Sequence, residues 1–122
     1  MKPTIIKANN LKETATYERC SVAENYHSEK VSVARATVKP GVTTVAHHLE
    51  GIEEIYLITR GQGLVKVGDL APMKVEEGDV IIIPEGSSQK ISNIGREDLV
   101  FTCICTPRFS PECYVDEEAQ KM

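Results

Sequence analysis

The chain has 122 residues, 41% of them hydrophobic, and 14 Lys and Arg against 18 Asp and Glu give it a net charge of −4. That length supports one core rather than two. An acidic balance without a Lys/Arg cluster argues against nucleic-acid binding, and apolar runs as short as 80–83 do not span a bilayer.

Read in chain order, Met1-Lys2-Pro3-Thr4 opens without an apolar run, so no secretory leader is expected. The cysteines at 20, 103, 105 and 113 then read as reduced thiols of a cytoplasmic protein. Asn10 is placed to cap a short helix reaching about Arg19, against the weak helix propensity of Thr14 and Thr16. His27 lies in the polar stretch Glu24-Asn25-Tyr26-His27-Ser28 and reads as a solvent-facing loop residue. From there to Pro107, turn signals recur at short intervals, including Lys39-Pro40-Gly41, Gly61-Gln62-Gly63, Gly78-Asp79 and Pro84-Glu85-Gly86. Between them β-prone runs occupy 31–38, 43–48, 54–59, 64–67, 80–83, 89–92 and 99–106. Short strands at this spacing indicate an all-β sandwich or barrel.

Several local expectations follow. Gly61-Gln62-Gly63 suits a tight hairpin, and the unbroken apolar run 80–83 suits a strand covered on both faces. Cys103 and Cys105 share one side of a strand and read as packed thiols. Ser110-Pro111 marks the start of one helical turn, and Asp116-Glu117-Glu118 reads as a solvated end. Arg35 is open to two readings, a guanidinium inside the barrel favouring an anionic ligand or a surface residue on the outer face.

Two blocks carry more specific information. In the first, five residues separate Gly41 from His47, one separates His47 from Leu49, four lie before Glu54 and six before Gly61. In the second, five residues separate Gly78 from Pro84; Gly86, Gln89 and Asn93 follow. This arrangement resembles the two motifs of the cupin family, with Leu49 and Gln89 standing at two of the four positions where that family places metal-binding histidine or glutamate. The resemblance covers about residues 31–106 and implies a double-stranded β-helix, two antiparallel sheets closed into a small barrel. It implies a single domain over 1–122, with segments 1–30 and 107–122 as candidates for homodimer contacts.

The resemblance also implies a site. His47, Glu54 and Gln89 would face the interior as a reduced metal-ligand set for Mn, Fe or Zn, with Ni less favoured. Strand alternation puts Tyr56 and Ile58 on the side of Glu54, making Tyr56 a candidate acid, base or hydrogen-bond donor. A bulge between Thr43 and His48 would instead turn His48 inward in place of His47. Three functions fit these residues: a cupin acting on a small organic acid or sugar derivative with a metal, a metal-free binding or sensor barrel, and a structural domain with its barrel packed shut.

Overall fold

In the computed structural model, which describes residues 2–119, nearly all regular structure is β. The strands are β1 (Thr14–Ala15), β2 (Ser21–His27), β3 (Ser32–Val38), β4 (His47–Leu49), β5 (Glu53–Arg60) and β6 (Gln62–Val67). They continue with β7 (Met73–Glu76), β8 (Val80–Ile83), β9 (Gln89–Asn93), β10 (Leu99–Thr106) and β11 (Tyr114–Asp116). A six-stranded antiparallel sheet has the order β1-β2-β3-β10-β5-β8, and a five-stranded one has the order β11-β4-β9-β6-β7. Consecutive strands alternate between the sheets through much of the chain, as in the double-stranded β-helix expected above.

The alternation of β5 explains how the sheets close. Glu54, Tyr56 and Ile58 point inward and are buried, whereas Ile55 is half-buried and Leu57 exposed. Between the sheets, Phe101, Ile58, Ile91, Leu99 and Val38 form the dry core. Asn93 holds a corner of it: Nδ2 donates to the Val38 and Glu97 carbonyls at 2.8 Å each, and Oδ1 accepts the Gly95 N–H. The motif asparagine is therefore a structural clamp that satisfies three buried backbone groups.

Several local expectations are corrected. No helix runs from Asn10 to Arg19; a 3-10 turn ends at Asn10, and Thr14 enters a two-residue strand. Residues 21–27 form a full strand, so His27 ends β2 instead of lying in a loop, though it is exposed. The run 80–83 is covered on one face only, because β8 is the edge of the larger sheet: Ile81 and Ile83 are buried, but Val80 and Ile82 are 56% and 63% exposed. Gly61 does not close a hairpin within one sheet, since β5 and β6 belong to different sheets. It turns the corner between them at φ 87°, and a Cβ there would stand 2.6 Å from the Asp98 carbonyl oxygen. The expected turn after Ser110 is present as Pro111–Cys113.

The acidic C-terminal run is an anchor rather than a solvated end. Glu117 accepts from the Ser88 hydroxyl at 2.7 Å and lies 2.8 Å from His48 Nδ1, while Glu118 pairs with Arg19 and accepts the Ala46 N–H. These contacts press β11 against β4. Arg35 takes the surface reading, paired with Glu13 at 3.2 Å on the outer face.

Candidate ligand cavity

At the end of the barrel away from the dry core, the two sheets enclose a cavity of about 130 Å³. The larger sheet gives it an apolar wall of Val22, Ala34, Phe101 and Cys103. Glu54 belongs to the same sheet, beside Cys105, and Glu18, His47 and Tyr114 stand across the space. A barrel packed shut is thereby ruled out. The size is near that of a 150 Å³ engineered cavity known to accept benzene, so about six non-hydrogen atoms fit.

Strand geometry brings the sequence candidates together. His47 and Leu49 occupy the inward side of β4 and are 5% and 3% exposed. His47 is directly paired with Gln89 of β9, and Gln89 is 1% exposed. The intervening His48 faces away, bound to Glu117, so no bulge turns it inward. The His47 Nδ1–H donates to the Val45 carbonyl at 2.7 Å, which leaves the lone pair of the neutral ring on Nε2. Its ring stacks on Tyr114 with centroids 4.6 Å apart.

The remaining polar atoms are unevenly satisfied. The Tyr56 hydroxyl donates to Gln89 Oε1 at 2.5 Å, and burial pushes its pKa well above the ordinary value. Tyr56, from the sequence a candidate catalytic acid, base or hydrogen-bond donor, has its proton committed to Gln89, so it positions the amide. Glu54 Oε2 accepts from the Cys105 thiol at 3.4 Å, while Glu54 Oε1 and Gln89 Nε2 are buried and complete no well-formed hydrogen bond, although Gln89 stands near enough to Glu54 to favour its ionised form. The Tyr114 hydroxyl completes no well-formed hydrogen bond either, but it stands near Glu18 and Tyr17 and interacts with both. Leaving such atoms unmatched costs roughly 1–3 kcal/mol each.

Burial dominates the electrostatics. Desolvation raises the Glu54 pKa from 4.5 to about 7, and Glu18 is raised for the same reason. Cys20 is pushed to about 11, and burial also holds Cys103 and Cys105 high, so the cavity thiols stay protonated. Among the described residues, no Lys or Arg borders the space. A unit charge 4 Å from an ionised Glu54 would be attracted or repelled by roughly 4 kcal/mol at an effective dielectric of 20.

These residues do not fit a resident metal. Leu49 offers no donor, and Gln89, whose oxygen already accepts the Tyr56 proton, does not border the cavity. His47 Nε2 and one Glu54 oxygen remain, short of the three or four protein ligands usual for such ions. Among the described residues, no three His, Cys, Asp or Glu side chains are grouped to hold a metal ion.

Three contributors escaped sequence reasoning: Glu18, Cys20 and Tyr114. They come from terminal segments outside the motif blocks. No spacing in the sequence marks them, because their place depends on how those segments dock.

Comparison with known proteins agrees with this architecture. Residues 34–105 match the Cupin domain family model. An uncharacterized protein of Methanocaldococcus jannaschii is 39% identical over 87 residues, covering 71% of this chain and 69% of that protein. An oxalate-binding protein of Thermotoga maritima is 35% identical over 82 residues, covering 66% of each chain. The chain thus spans about two thirds of the length of both relatives. Among solved structures, a predicted oxalate decarboxylase of Thermotoga maritima superposes with a TM-score of 0.78 at 23% identity, over 85% of this chain and 99% of the other. KdgF from Halomonas sp. reaches 0.82 at 12% identity, over 91% of this chain and 99% of the other. At those identities the two structures speak to fold alone.

Proposed function

The chain belongs to the cupin family, and we propose that it works as a metal-free receptor for a small molecule held inside the barrel. The observation that carries this reading is the pair of buried polar atoms that complete no well-formed hydrogen bond, Glu54 Oε1 and Gln89 Nε2, with Glu54 lining a cavity of about 130 Å³. A bound molecule that donates to Glu54 and accepts from its surroundings would remove that penalty. The apolar wall would take its hydrocarbon body. His47 and Glu18 add acceptors, and Tyr114 closes the space by stacking on His47. Catalysis is not part of this reading, because the Tyr56 proton is engaged and the thiols are held protonated.

A ligand-observed NMR screen of molecules with up to about six non-hydrogen atoms tests it. Binders should be found, and Ala34→Leu, which fills the cavity from its apolar wall, should abolish their binding while the fold is retained by circular dichroism. Finding no binder, or binders indifferent to Ala34→Leu, would refute the reading.

We also infer that two copies associate through the outer face of the six-stranded sheet. Ile82, Ile55, Ile104 and Val33 stand in one cross-strand row over β8, β5, β10 and β3. N-terminal residues such as Ile6 and Leu11 lie beside Val33 at one end, and Ile82 is left 63% exposed at the other. Such an apolar row favours a self-complementary contact.

A further inference from the structure

The geometry points to a cation, a small primary amine or related ammonium compound, as the occupant of the cavity; this rests on the receptor reading above. The charged and ionisable groups turned to the space, apart from its protonated thiols and the Tyr56 and Tyr114 phenols, are carboxyls and an imidazole, and the hydroxyls of Ser32 and Thr44 beside them can accept as well as donate. Glu54 is 7% exposed with Oε1 buried and in no well-formed hydrogen bond. The His47 Nδ1–H is spent on the Val45 carbonyl, so in the neutral ring Nε2 is the acceptor. Glu18 stands on the same side, and the exposed Glu24 borders the space at the rim, tied to His27 at 2.6 Å. An ammonium has three donors and no acceptor, the complement of such a set. The aromatic rings of Phe101 and Tyr114 border the same space.

An anion meets the opposite conditions. Without a bordering Lys or Arg among the described residues, the one cation available would be a protonated His47, which already lies 3.7 Å from Glu18. A carboxylate ligand would be buried against Glu54 and Glu18 with little to compensate it. The oxalate-binding relative is therefore a guide to fold and cavity position, and this chain's own side chains select the opposite charge.

The test compares n-butylamine, 1-butanol, propionate and oxalate without added metal, at about pH 8, where the amine is protonated. Binding is followed by protein NMR in the natural chain, Glu54→Gln and Ala34→Leu. Butylamine should bind about a hundredfold more tightly than propionate or oxalate. Glu54→Gln should remove most of the amine's advantage over butanol, and Ala34→Leu should abolish the binding of both. Propionate or oxalate binding as tightly as the amine would overturn the charge assignment and leave the receptor reading standing. Amine binding unmoved by both substitutions would place it on surface acids and overturn the assignment. Failure of all four probes would overturn the charge assignment and count against the receptor itself.

Discussion

Glu54 is where the barrel sets strand alternation against chemistry. The alternation of β5 requires the residue to point inward, and the interior disfavours its charge, raising its pKa from 4.5 to about 7. A carboxyl raised in the folded state binds its proton more tightly there than in the unfolded chain. Its contribution is fully present below about pH 4.5 and is lost as pH rises through 7, a difference of about 3 kcal/mol. The direction is the reverse of a salt-bridged acid, and the raised Glu18 adds to it. Urea unfolding of the ligand-free protein between pH 4.5 and 8 should therefore show falling stability, and Glu54→Gln should flatten most of that slope. An equal slope in the variant would assign it elsewhere. His47, Glu54, Tyr56 and Gln89 were legible in the sequence because residues two apart on a strand share a face and the motif spacing says which face. The amide orientation of Gln89 was not legible, since it depends on Tyr56 arriving from another sheet.

Among the elements, β11 decides whether the cavity is closed. It pairs with β4 residue by residue, and Glu117 fastens the following turn to His48 and Ser88. Tyr114 carries the seal, stacked on His47 and edge-on to Tyr17 at 5.5 Å. Tyr114→Ala should expose the thiols behind it, raising the rate at which a bulky disulfide reagent labels Cys103 and Cys105 by about tenfold without melting the barrel. An unchanged rate would mean the cavity opens by another route. The central strands were readable from turn residues and β-branched runs, whereas β2, β7 and β11 were missed. Tyr114 to Asp116 is too short for a periodic signal and becomes a strand only through the edge of β4. The run 80–83 misled for a related reason: composition cannot tell an edge strand from a central one.

For the whole molecule, the outer apolar row is the feature that closure of one barrel leaves unsatisfied. Sedimentation equilibrium should give a dimer, and Ile82→Lys should shift it to monomer by burying a charge in the contact. A natural chain that is monomeric at high concentration would remove this inference without touching the cavity. The overall fold was the most legible level, since turn spacing alone indicated an all-β sandwich or barrel and the resemblance of the two motif blocks implied the barrel. Dimer contacts assigned to the termini did not anticipate this row. Its continuity comes from strand register, which places Ile82, Ile55, Ile104 and Val33 side by side from four separate parts of the chain.

Elemental analysis of untagged protein purified without chelator, paired with butylamine binding before and after EDTA, bears most directly on a receptor that works without metal. Metal far below one equivalent and binding unchanged by EDTA are expected. Near-stoichiometric metal that disappears in Glu54→Ala, with ligand binding lost to EDTA, would contradict it.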